Sequence, residues 1–252
     1  MKDKLLAILA LFIVLGSGVR AAEWGAVRMR FTFDGEPPKP QFLSANKDKD
    51  VCGTSVPDES LLVNSQDRGI ANVVCMMSSP PDDVHPDVLT SAHDEVKISV
   101  KLCRFQPHVV VLGLSNRLVI SNEDPIGHSA HVPSLEISPL ISSGKDYRPI
   151  IQNPGPGPGS VVCNIHPWMV GWIVVTKNPY AALSDEHGVL TLNNLPTGKW
   201  QFRLWHERSG WLTSAIREKR IERWEKGYVT IDVQPQVNDL GEIKLSPEIF
   251  KR

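Results

Sequence analysis

The chain has 252 residues, with 27 Lys and Arg against 28 Asp and Glu, 20 Pro, 18 Gly and only 4 Cys. A near-balanced charge with no basic stripe argues against a nucleic-acid partner. The high Pro and Gly content and the scarcity of long helical periodicity exclude a helical bundle and favour an all-β protein of one or two domains.

The N-terminus reads as an export signal. Lys2 and Lys4 precede the apolar run Leu5 to Leu15, and Val19-Arg-Ala21 supplies a small-residue cleavage site. About 11 apolar residues are too few to cross a bilayer, where about 20 are needed, so residues 1–21 are expected to be a cleaved secretory signal. The mature chain then keeps 24 basic and 27 acidic residues. No later segment is apolar enough to anchor it, and a periplasmic or secreted location follows.

Runs of β-branched and alternating residues predict strands at Ala26 to Phe33, Ser60 to Asn64, Ile70 to Met76, Glu95 to Leu102, His108 to Leu112, Arg117 to Asn122, Ser160 to Val162 and Trp172 to Thr176. Between them Pro37-Pro-Lys-Pro40, Pro80-Pro81 and Pro154-Gly-Pro-Gly-Pro-Gly159 cannot continue a ladder. The last tract is expected to deliver the chain stiffly into the strand that follows. After Val175 short strands alternate with hairpin turns, as in Asp185-x-x-Gly188-x-Leu190-x-Leu192 and Tyr228-Val-Thr-Ile-Asp-Val233. Residues 208–226, mixed in charge, read as a long connection with one helical turn.

Two loops carry the chemistry. Cys163-Asn-Ile-His166-Pro-Trp-Met169 places a thiolate, an imidazole and a thioether on one short loop, and Asn122-Glu-Asp-Pro-Ile-Gly-His128-Ser-Ala-His131 offers further imidazoles upstream. A trigonal set of two His and one Cys with a weak axial Met is the blue-copper electron-transfer arrangement. Three residues along a strand turn a side chain to the opposite face, so with His128 toward the metal, His131 points elsewhere. His108 and His206 read as structural histidines, and His85 and His93 as exposed ones. None of the eight histidines forms the His-x-His pairs that a multicopper oxidase or nitrite reductase would need.

The spacing Cys163-x-x-His166-Pro-x-Met169, followed by Gly171 and Val174-Val175, with Asn122 and His128 upstream, resembles the cupredoxins, and within them the amicyanin branch. The resemblance implies a Greek-key β-sandwich holding one mononuclear type 1 copper through His128, Cys163, His166 and the axial Met169. Asn122, Ser129 and Pro167 would support those ligands. The family usually carries Asn where Ser129 stands, so the tie between the two loops should be weaker or remade. It further implies a partly exposed His166 set in a docking patch of Pro167, Trp168 and Trp172, used for transient contact with a redox protein such as a dehydrogenase or a cytochrome. A wider resemblance, carried by Cys103-Arg-Phe-x-Pro-His108, Asn178-Pro-Tyr180 and Trp205-His-Glu207, is to secreted bacterial cupredoxin-domain proteins of the methylamine-utilisation-like type. The run Asp185 to Gly198 resembles the smaller prealbumin-like β-sandwich modules found as regulatory domains of carboxypeptidases.

The expected organisation is therefore a signal at 1–21, a copper domain with an N-terminal β extension at 22–178 and the smaller module at 179–252. With Cys163 on metal, three cysteines remain for an oxidising compartment. Cys75 sits in an apolar stretch and reads as core, which favours Cys52–Cys103 over Cys75–Cys103 without excluding the latter. The expected function is electron carriage without catalysis. The alternative is a non-redox module that binds carbohydrate or a partner protein and keeps a vestigial copper site.

Overall fold

The computed structural model describes residues 23–79, 81–91 and 93–251, so the expected signal segment lies outside the described residues. Strands dominate, as the sequence implies, and they are organised around two hydrophobic cores.

The first core lies between two five-stranded sheets. One runs Val189–Pro196, Trp24–Phe33, Val237–Leu245, Ser214–Arg217, Arg220–Arg223 in spatial order. The other joins Ala181–Leu183, Val74–Met77, Gly198–His206 and Gly210–Trp211, with Tyr228–Val233 also paired to Gly198–His206. Trp24–Phe33 alternates as a half-buried strand should, sending Val27, Met29 and Phe31 into the core. Asp185 organises the turn before Val189–Pro196: its carboxylate accepts from the amides of His187 and Val189. Gly188 closes that turn at φ +75, where an added Cβ would fall 2.0 Å from the Phe31 carbonyl.

The second core belongs to the sandwich that carries the two donor loops. Its larger sheet runs Asp146–Tyr147, Arg117–Asn122, Glu95–Lys101, Arg104–Gln106, and the facing sheet runs Gly159–Val162, Val170–Thr176, Val109–Gly113. Ile98, Val100, Phe105, Ile120, Val161 and Ile173 fill the space between them. Gly171 allows close approach of the two layers, since a Cβ there would lie 2.9 Å from the Phe105 Cβ.

The strand pairing corrects the expected division at residue 178. Trp24–Phe33, read as an extension of the copper unit, is flanked on both edges by C-terminal strands. Val74–Met77 likewise pairs with Ala181–Leu183 and Gly198–His206. The sandwich around the second core is thus inserted into the C-terminal one. The amide of Met77 bonds the Tyr180 carbonyl at 2.9 Å, and the Asn178 side chain bonds the Met77 carbonyl at 3.1 Å, where the chain leaves and returns. One further excursion returns the other way: the hairpin Phe42–Ser44/Ser55–Pro57 and the short helix Lys49–Cys52 send Ala45, Cys52 and Val56 into the second core. Hydrophobic alternation marks a strand but carries no record of its partners, which is why the boundary was misplaced.

Other local departures have local reasons. Ser60 to Asn64 forms no strand, only an isolated bridge from Val63 to Ile70. Residues 208–226 are chiefly strand, with a single 3-10 turn, Glu225–Gly227, starting at their end. They form the hairpin Ser214–Arg217/Arg220–Arg223, closed by Glu218 and Lys219, both at positive φ as a two-residue hairpin turn demands. The two sandwiches meet at a small apolar cluster of Val74, Val109, Val174 and Trp205, against which Trp172 packs with ring centroids 4.8 Å apart from Trp205.

Candidate metal centre

His128 begins the short strand His128–Ser129, held by pairing with Leu140–Ile141. The Cys163 loop joins Gly159–Val162 to Val170–Thr176. It is drawn tight by the Met169 amide on the His166 carbonyl (2.9 Å) and the Cys163 amide on the Met169 carbonyl (3.2 Å). Reciprocal backbone bonds of 2.9 Å between His131 and Val162 fasten the two loops together.

This framework brings three donors to one point. The Nδ1 atoms of His128 and His166 are 3.0 Å apart, and the Cys163 Sγ lies 3.9 and 3.7 Å from them. The circle through three atoms at those separations has a radius of about 2.1 Å, the length of a bond from imidazole nitrogen or thiolate sulfur to a first-row metal. All three residues are buried, as is Met169 in the same core. A second grouping of Cys103, Asp124 and His128 is ruled out as a metal site by the bonding of Cys103 to Cys52.

The surroundings fix the protons. The Asp48 Oδ2 lies 2.8 Å from the His166 Nε2, and the Asp124 Oδ2 lies 3.1 Å from the His128 Nε2, the latter contact too oblique for a full hydrogen bond. A carboxylate accepts, so the Asp48 contact draws the His166 hydrogen to Nε2 and leaves its Nδ1 as an acceptor facing the His128 Nδ1 and the Cys163 sulfur. Burial, and then the neighbouring His166 ring, hold His128 below the ordinary imidazole range against the pull of Asp124. Two imidazole nitrogens and a sulfur thus face one another at 3.0 to 3.9 Å in a buried space, a donor set that a cation can bind with all three atoms at once. The residues present therefore fit a metal ion.

Ser129 ties the two loops together. Its backbone N–H and its hydroxyl approach the Cys163 Sγ at 3.4 and 3.7 Å, and the same oxygen accepts from the Asn164 amide at 2.8 Å. Asn122 braces the first loop, donating to the Ile126 and Ile141 carbonyls and accepting from the Asp124 amide. Asp124 in turn accepts from the amides of Leu102 and Cys103.

Two expectations about the surface are corrected. His166 is fully buried, because the segment carrying Asp48 is folded over it. Trp172 lies on the other side, in the contact with Trp205. Pro167 stays exposed, and Trp168 is half-buried with its ring 5.2 Å from that of His166. Cys52 and Cys103 are bonded, and Cys75 is free and buried, its thiol pushed far up by burial. His131 is half-buried away from the donors.

His93 is exposed and His206 buried, as read from sequence, but His85 is half-buried with its ring edge-on to Trp24. His108 is buried and paired to Glu207 at 2.5 Å, linking the two sandwiches. Beside that pair a cavity of about 190 Å³ reaches Met169 and Trp168. Sequence reasoning missed Asp48 and Asp124. Each is one acid among charged neighbours, Asp48 in Lys47-Asp-Lys-Asp50 and Asp124 after Glu123, and only the fold brings them to the imidazoles.

Neither a family profile nor a curated protein sequence matches the chain. Solved structures similar to parts of it are cupredoxins. A copper-containing nitrite reductase from Thermus scotoductus SA-01 is 25% identical over 32% of this chain and 22% of its own, with a TM-score of 0.30. A purple cupredoxin from Nitrosopumilus maritimus is 16% identical over 32% of this chain and 99% of its own, with a TM-score of 0.28. Amicyanin from Paracoccus versutus is 15% identical over 40% of this chain and 97% of its own, with a TM-score of 0.29. The chain thus spans about a fifth of the nitrite reductase. Likenesses of this extent say nothing of activity, and the donor geometry has to carry the functional reading.

Proposed function

We propose that the protein is an exported mononuclear copper protein that carries electrons and is not a catalyst. The observation that supports it most directly is the convergence of two imidazole Nδ1 atoms and one sulfur within 3.0 to 3.9 Å, among buried residues. Sulfur and imidazole together suit copper, with Met169 as the long axial donor. A copper ion held there supplies a one-electron couple.

The chain's own part is to keep the donors still. Backbone bonds across both loops, the Ser129 contacts to sulfur and the carboxylates behind each ring hold one geometry, so little has to move when the charge changes. Burial of all four donor residues keeps water from the centre. We place the outlet for the electron on the side of Trp168 and Pro167, since the Trp168 ring touches that of His166 and Pro167 reaches the surface. A small patch there suits brief docking by a redox protein. The bonded Cys52–Cys103 pair fits an oxidising compartment outside the cytoplasm, and no helix among the described residues is long and apolar enough to cross a membrane.

The test is the visible spectrum of the copper-loaded, oxidised protein. An intense thiolate-to-metal band is expected, lost in Cys163→Ala and kept in His131→Ala. A colourless protein after copper addition would remove the carrier reading in favour of a binding module. A band that survives Cys163→Ala would show that the sulfur is misassigned.

A further inference from the structure

We infer that Asp48 is a positioning residue for His166, and that the Cys52–Cys103 bond holds it in place. Asp is among the best residues at a helix N-cap, where its carboxylate ordinarily bonds the free amides of the first turn. Asp48 occupies that position before Lys49–Cys52, yet its side chain makes no capping bond. Its backbone stands at φ 48, ψ 46, a left-handed conformation that costs a non-glycine residue energy. Both choices turn the carboxylate outward from the helix and onto the His166 Nε2 at 2.8 Å. An uncommon backbone and an unspent cap, at one residue, serve a contact with a buried imidazole.

The segment does not reach His166 by its own folding alone. Four residues after Asp48, Cys52 is bonded to Cys103, and the Cys103 amide donates to Asp124, the carboxylate beside the other imidazole. One covalent link therefore joins the two carboxylates that back the two rings. Asp48 remains partly open to water, with a side-chain exposure of 39%, while the ring it holds has none. It is the only charged group placed between that ring and solvent among the contacts of His166 described here. By accepting from Nε2–H it fixes the tautomer that leaves Nδ1 bare, and it strengthens that nitrogen as a donor.

This assignment deepens the copper reading, and one measurement does not need the metal. In the metal-free protein, nitrogen-15 spectra should show His166 as the Nε2–H tautomer, and Asp48→Ala should shift it toward Nδ1–H or a mixture. On copper titration Asp48→Ala should bind about 10 to 100 times more weakly than the unaltered protein. Asp48→Asn keeps an acceptor oxygen of the same shape. It should hold copper within a few-fold of the unaltered affinity, with a raised reduction potential because a negative charge behind the ligand is gone. Asp50→Ala, on the exposed side of the same helix, should change neither readout. An Nδ1–H tautomer in the unaltered metal-free protein, or equal copper affinity in Asp48→Ala, would overturn the assignment. Loss of the tautomer preference in Asp48→Ala, in a protein that takes up no copper, would uphold the positioning role and sink only the copper reading. Should Asp48→Ala not fold, the potential of Asp48→Asn decides: an unchanged value overturns the assignment.

Discussion

Ser129 shows how much one side chain can alter at the site. It stands where the resembled family carries Asn, and its shorter hydroxyl still serves both loops, accepting from Asn164 while approaching the Cys163 sulfur. Hydrogen bonds to a thiolate withdraw charge from it and raise the potential of a metal it holds. Removing the hydroxyl costs one such bond, worth about 1 kcal/mol, or a few tens of millivolts for a one-electron couple. Ser129→Ala should therefore lower the reduction potential by that amount while keeping the visible band, and voltammetry of the copper-loaded variant reads it directly. An unchanged potential would mean that the backbone N–H alone tunes the sulfur. His206 makes a different prediction at the same scale. It is 1% exposed, and burial pushes its pKa from 6.5 down to about 4. The unfolded chain then binds more protons than the folded one between those values, so stability is full above about pH 6.5 and falls as pH drops toward 4. The loss attributable to His206 is at most about 3 kcal/mol. Denaturant unfolding at pH 7 and pH 4.5 should show it, and His206→Gln should flatten the slope. An equal slope in both proteins would assign the acid sensitivity elsewhere.

At the scale of elements, the strands that position the donors were legible because each is short, β-branched and bounded by Pro, Gly or charge. Arg117–Asn122 was read to the residue, and Gly159–Val162 and Val109–Gly113 to within one residue at each end. The meeting of Cys163 with His166 was legible for a related reason, since the two share one short loop and their spacing can be read in sequence. The cover over His166 was not. Asp48 is separated from it by 118 residues, and nothing in a polar run of Lys and Asp announces a contact of that range. The hairpin at 214–223 was hidden differently, because Glu-Lys at its tip is an unfavourable pair for positive φ and the surrounding charges blur the alternation. Cys52–Cys103, by contrast, was within reach of elimination, and it is the element that holds the cover. Its 51-residue separation implies about 4 kcal/mol of stabilisation on the chain-entropy account. Cys52→Ser should therefore lose up to that much in denaturant unfolding while keeping the visible band, since no donor is touched. Loss of the band would show that the bond shapes the donor set itself and not only its cover.

The whole molecule is an interleaving of two sandwiches, and this changes what can be cut from it. Trp24–Phe33 buries Val27, Met29 and Phe31 between C-terminal strands, and each such side chain contributes about 1.5 to 3 kcal/mol when fully buried. A chain ending at Asn178 keeps that strand and removes both of its neighbours. It also strips Val74–Met77 of its two partners and uncovers Val109 and Val174, which pack on Trp205. The donor loops would remain, but joined to two unpaired apolar strands that invite association with other chains. The fragment 22–178 is therefore expected to aggregate or to melt without a cooperative transition. The chain from residue 22 to its end should instead unfold in one calorimetric transition, because both chain crossings and the Val74 and Trp205 contact couple the two cores. Recovery of the fragment 22–178 as a soluble monomer with a sharp melt would mean that the copper unit folds without the sandwich it is threaded through, and that the coupling between the two cores is weak.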